Sequence, residues 1–173
     1  MEEGIPGDAS TLIYLAKANV FERAHQCVST ILVSPSVWRE AVDQGERIGA
    51  LEIPRIRAAA DAGSLRLVEL SEREEALASA IAGADRLGAG ESEVLALATR
   101  IGGAIVDEGR AARVAEARAI TVVSTLFLPV LGRQSRVLDE EQAVDLLWRL
   151  AIVIGPRAEV VYAIEQYLRT EEA

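Results

Sequence analysis

"GAGESEVLALATRIGGAIVDEGRAARVAEARAITVVSTL", Gly88–Leu126, is the stretch whose reading decides the fold. Residues 88–103 carry apolar side chains at helical spacing and close on Gly102 and Gly103, a pair suited to a helix C-terminus. "AIV" (Ala104–Val106) reads as a short buried strand, Gly109–Arg118 as a second helix and "AITVVS" (Ala119–Ser124) as another strand. Strands joined by helices in this way argue for a parallel sheet, and right-handed crossovers place the helices on its faces.

Toward the N-terminus the same alternation continues. "SLRLVEL" (Ser64–Leu70) alternates as a strand should, and "SEREEALASAIAGADRL" behind it opens with a Ser-x-x-Glu capping box. Residues 53–62 read as a helix, and "PSVWREAVDQG" as another that starts at Pro35 and Ser36 and stops at Gly45. "CVSTILVS" (Cys27–Ser34) is rich in β-branched residues and predicts a buried strand, while Asp8 leads into a helix near Ser10–Ala18. The first strand would have to come from "EEGIPG", which has one large apolar residue and a proline where central strands exclude it. Either that edge is irregular or the N-terminus is not natural. Beyond Pro129, "LGRQSRVLD" reads as a loop, and Glu140–Ile152 and Arg157–Arg169 as two amphipathic helices. The expected architecture is α/β, a three-layer αβα fold with a central parallel sheet over residues 1–131. Residues 132–173 form a C-terminal helical extension packed on the same domain.

Composition narrows the function classes. With 173 residues, half of them apolar, the chain can bury one substantial core but not two comfortable ones. No apolar run approaches the roughly 18–20 residues of a membrane span, and the acidic start "MEEGIPGD" is unlike a signal peptide, so a cytoplasmic protein without membrane contact is expected. Cys27 and His25 are each alone, which excludes an internal disulfide and a Cys/His zinc set; any metal must be held by oxygen. A net charge of −9 is unlike the broad basic face of most nucleic-acid binders, so a nuclease here must use a local patch. The same charge suits a carboxylate-lined metal pocket or a basic partner segment.

Open α/β sheets bind ligands beyond the carboxyl ends of their strands, where strand order reverses. Asp8 and Asp107 both follow strands, Glu40 lies on the helix after "CVSTILVS", and Glu91 is in the first turn of the helix leading into "AIV". Singly, each has an ordinary explanation: Asp8 as a helix cap, Glu40 as a solvated face residue, Glu91 and Glu93 as partners of a helix dipole, Asp107 and Glu108 as caps. Four acids at the ends of elements that line one crevice are harder to explain that way.

"DASTLIYLAK", "SPSVWREA", "GAGESEVLALA" and "AIVDEGRAARVAEARAITVVSTL" occur in that order, and together they resemble the PIN-domain family, in particular prokaryotic members related to VapC-type toxins. The resemblance covers Asp8 to Leu126. It puts the family's first aspartate on Asp8 with Ser10 supporting it, the second acid on Glu40, the third on Glu91 with Glu93 beside it, and the strand-end aspartate on Asp107 with Glu108 following. Many family members have Asp where this chain has Glu91, and a second Asp where it has Glu108. The implied activity is metal-dependent cleavage of single-stranded RNA with Mg²⁺ or Mn²⁺ as cofactor, and the implied partner is RNA, single-stranded or structured. Asp8, Glu91 and Asp107 would contact the metal directly or through water, and Glu40 would orient metal-bound water. Arg110 and Arg113 are candidates for holding RNA phosphate, with Lys17 and Arg39 weaker ones, and Trp38 and Tyr14 could stack on bases. The resemblance further implies a homodimer and an antitoxin partner. Two other classes compete. One is a catalytically silent PIN-fold binding protein. The other is a receiver-like signalling domain, which wants a lysine after the last strand where this chain's only lysine is Lys17.

Overall fold

The computed structural model describes residues 4–107 and 109–170. Its elements run β1 (Ile5–Pro6), α1 (Ala9–Ala18), α2 (Phe21–Val28), β2 (Ile31–Val33) and α3 (Pro35–Trp38). A π-helical turn (Arg39–Asp43), α4 (Gln44–Arg47), α5 (Ile53–Asp61), β3 (Leu65–Leu67), α6 (Glu72–Asp85) and α7 (Ala89–Ile101) follow. The chain closes with β4 (Ala104–Ile105), α8 (Gly109–Ala117), β5 (Val122–Val123), a 3₁₀ turn (Thr125–Phe127), α9 (Leu128–Gln134), α10 (Glu140–Ile154) and α11 (Ala158–Leu168).

All described strand pairs are parallel. Ile5 lies opposite Ile31, Ile31 opposite Leu65, and Ala104 opposite Val122. A parallel bridge between Gly7 and Ile105 joins the β1-β2-β3 sheet to the β4-β5 pair. The spatial order is therefore β3-β2-β1-β4-β5, and it reverses between β1 and β4. The described strands are two or three residues long, and most of the core residues come from helices.

The proline in β1 is accommodated by hydrogen-bond phase. Ile5 and Gly7 donate toward β2, to Thr30 and Leu32 carbonyls at 2.9 and 3.1 Å, and Asp8 donates toward β4, to Ile105 at 3.2 Å. The N–H that Pro6 lacks would point to the β4 side, where pairing begins only at Gly7. A proline can thus sit in an interior strand whose second neighbour starts one residue later.

Two sequence expectations are corrected. The strand expected over Cys27–Ser34 is only Ile31–Val33, because Cys27 and Val28 complete α2, which ends at Ser29 with φ +59°. Cys27 packs on α9 so closely that a Cβ on Gly132 would lie 2.6 Å from its Sγ, and burial pushes the thiol pKa up to about 11. The loop expected after Pro129 begins as α9 instead, with Leu128, Pro129 and Val130 buried and the proline in the first turn, where its missing N–H costs nothing.

The C-terminal helices share the main core. Ala143, Leu146, Leu147 and Leu150 of α10 are buried with Leu12 and Leu15 of α1, and Val161, Ile164 and Leu168 of α11 join the same cluster. Asp139 caps α10 in a reciprocal box with Gln142. No described helix is long and apolar enough to cross a membrane.

Candidate active site

The reversal of strand order places the ends of β1 and β4 side by side, and each ends in an aspartate. Asp8 is only 3 % exposed. As N-cap of α1 it accepts the Thr11 N–H at 2.7 Å and the Thr11 hydroxyl at 2.8 Å on one oxygen. Its other oxygen accepts the Asp107 N–H at 2.9 Å, which ties the two strand ends together. Asp107 in turn accepts the Thr125 N–H at 2.9 Å and, on its second oxygen, the Thr125 hydroxyl. Thr125 lies just past β5, so three strand ends converge. The two threonine hydroxyls are 3.1 Å apart, and that of Thr11 also lies 3.2 Å from Asp107. Each hydroxyl carries one proton, so the shorter contacts assign that of Thr11 to Asp8 and that of Thr125 to Asp107. Burial raises the pKa of Asp107; hydrogen bonds from Thr125 oppose the shift, and the neighbouring Asp8 charge adds to it.

A second acidic group lies on the same rim, because α7 leads back into β4 and so begins at the carboxyl ends of the strands. Glu40 projects from the π-helical turn and accepts the Gly90 N–H at 3.2 Å. A Cβ at Gly90 would stand 2.6 Å from the Glu40 carboxylate, so glycine is what lets the acid reach the helix end. Glu91 folds back to accept the Gly88 N–H at 2.9 Å, and Glu93 accepts the Ser36 N–H at 2.9 Å and its hydroxyl at 2.6 Å. Burial raises the pKa of Glu40; the Gly90 bond opposes this, and the charges of Glu91 and Glu93 reinforce it.

The expected residues are therefore split. Asp8 and Asp107 form one tight pair, while Glu40, Glu91 and Glu93 form an adjoining set around the start of α7. Among the described residues, no three carboxylates converge closely enough to hold a metal ion, and Glu91 serves its own helix end rather than joining the aspartates. The support expected from Ser10 comes from Thr11, because an N-cap side chain faces the third helical residue, and Thr11 occupies that place. Arg110 and Arg113 are exposed on α8, directly after Asp107. Lys17 pairs with Glu52 at 3.7 Å, and the Trp38 ring is covered by the Arg57 guanidinium at 5.8 Å. Glu108 lies outside the described residues.

Sequence reasoning missed Thr11, Thr125, Ser36 and Gly90. The signal for Thr125 was its position directly after the last strand, the same rule that selected Asp8 and Asp107. Gly90 could not be found from sequence, since its role is a close approach between distant elements.

The donor set fits a hydrated Mg²⁺ or Mn²⁺ ion. One Asp8 oxygen is fully occupied by Thr11, but the other and the Asp107 oxygen bonded to the Thr125 N–H each accept a single N–H and keep a lone pair. Mg²⁺ is commonly bound by one or two carboxylates with waters completing its shell. Two like charges in a buried, hydrogen-bonded pair also gain from a cation between them.

A family model described as a PIN domain (DUF3368) matches residues 7–157. The chain belongs to the PIN-domain family, whose members are generally nucleases that use divalent metal ions. No curated protein and no solved structure matched the chain.

Proposed function

We propose that the protein is an endoribonuclease dependent on Mg²⁺ or Mn²⁺, cutting RNA in the cytoplasm as the toxin member of a VapC-type toxin–antitoxin pair. The observation that carries the reading is the Asp8–Asp107 pair at the switch point of the sheet, with lone pairs left over after all its hydrogen bonds. A bound divalent ion would supply a more acidic water and neutralise charge on the phosphate under attack. Asp8 and Asp107 would hold the cation, Thr11 and Thr125 fix their carboxylates, and Glu40 on the adjoining rim would orient water there. Arg110 and Arg113 hold phosphate at the open side of the pair. A three-layer architecture with the helical extension packed on it gives these groups a rigid base. The exposed side chains of Trp148, Ile152 and Tyr162 on α10 and α11 supply a homodimer face. The test is incubation of purified protein with a mixed pool of single-stranded and structured RNA. Cleavage with Mg²⁺ or Mn²⁺ that stops with EDTA and in Asp107→Asn supports the proposal. Metal-independent cleavage, or none under any condition, removes it and favours a silent binding protein.

A further inference from the structure

The helical path that starts at Pro35 runs unbroken through α3, the π-helical turn and α4, since Trp38, Arg39, Asp43 and Gln44 all keep right-handed helical backbone angles. Ser36 and Glu40 lie one turn apart on it and share a face, as Gly90 and Glu93 do on α7. The two faces meet in two rungs. Glu93 accepts the Ser36 N–H at 2.9 Å and the Ser36 hydroxyl at 2.6 Å, and Glu40 accepts the Gly90 N–H at 3.2 Å. The segments therefore run antiparallel, and each lends a carboxylate to the other's first turn, where free N–H groups and the helix dipole favour negative charge. In α3 that donor is the one left over: Pro35 has none, and Val37 and Trp38 donate to Ser34 at 3.4 and 3.0 Å.

The rungs are unequal. Ser36 is buried and bonded twice at short distance, whereas Glu40 makes a single longer bond and fits against α7 only because Gly90 has no Cβ. The π-helical turn begins at Arg39, between the rungs, so the winding of α3 does not by itself fix the direction of Glu40. We propose that Glu93 and Ser36 are positioning residues: their rung sets the register of this path against α7, and that register puts Glu40 on the acidic rim. Glu93 acts through Ser36 rather than on reacting atoms. What Glu40 does on the rim rests on the proposed function; its placement does not.

The test reads the Gly90 amide proton by NMR in the full, metal-free chain. Glu93→Ala should move its resonance toward the position it takes in Glu40→Ala and speed its exchange with solvent about tenfold, as expected for a lost hydrogen bond to a charged group. The double variant should move it no further. Glu93→Gln keeps an acceptor for the Ser36 N–H and offers a donor to the hydroxyl oxygen, so it should hold the resonance near its wild-type position. Ser36→Ala loses only the hydroxyl bond, a milder change than Glu93→Ala, and should shift the resonance the same way by less. A Gly90 resonance unmoved in both alanine variants while the melting temperature falls would reduce the pair to a cap of α3 and overturn the proposal. Glu93→Gln behaving as Glu93→Ala would also overturn it, because charge rather than register would then hold Glu40. The readout needs neither metal nor RNA, so it decides the positioning role separately from the cleavage assay.

Discussion

Asp107 is the residue at which folding and chemistry conflict. The fold buries its carboxylate beside that of Asp8, which raises its pKa and disfavours the charged form relative to an exposed carboxylate. An acid with a raised folded pKa contributes stability below its ordinary value and loses it as pH rises through the raised one. Metal-free Asp107→Asn should therefore melt a few degrees above wild type at about pH 7, and the gap should close toward about pH 4. Melting curves across that range check this; a gap that does not change with pH would mean the carboxylate is not strained by its surroundings. Thr125 relieves part of the conflict, so Thr125→Val should cost about 1–3 kcal/mol in denaturant titration, with Thr125→Ser restoring most of it.

At the scale of elements, the start of α7 decides whether Glu40 reaches the rim. Alanine at Gly90 is a better helix former, by roughly 0.5–1 kcal/mol, and the Cβ collides only with the end of a flexible side chain. Gly90→Ala should therefore keep or raise the melting temperature while cutting RNA cleavage, because Glu40 is pushed off the helix end. Normal cleavage by that variant would show that the position of Glu40 is immaterial. This is also where reading the sequence alone reached its limit. The alternation of strands and helices, the capping box at Ser71 and the acids Asp8 and Asp107 could be read from local pattern, because each depends on its immediate neighbours. The π-helical turn around Glu40 and the helical assignment of Cys27 depend on packing between elements far apart in sequence. Glu91 illustrates the same limit: its sequence position suits a ligand and a cap equally, and only the fold shows it bonded to Gly88.

Across the whole molecule, the core holds the chain together, and the cation of the proposed function would add to it. The C-terminal helices are part of that core, with Leu147 and Leu150 fully buried among residues that include Leu12 and Leu15. Each such leucine contributes about 1.5–3 kcal/mol, comparable in sum to the net stability of a small domain. Truncation before Leu138 should therefore abolish cooperative unfolding in calorimetry, whereas a folded product would detach α10 and α11 from the domain. Light scattering at tens of micromolar should report a dimer, and a monomer there would remove the proposed assembly face.

The claim on which the account rests is that Asp8 and Asp107 together hold a divalent cation. Isothermal titration of Mn²⁺ into the metal-free protein measures it most directly. Asn caps a helix as well as Asp does, so Asp8→Asn keeps the cap of α1 on its oxygen and removes the charge together with the acceptor for the Asp107 N–H. The account predicts saturable binding to wild type, at least tenfold weaker binding to Asp8→Asn and to Asp107→Asn, and unchanged binding to Glu75→Gln. Wild-type affinity in both aspartate variants would contradict it.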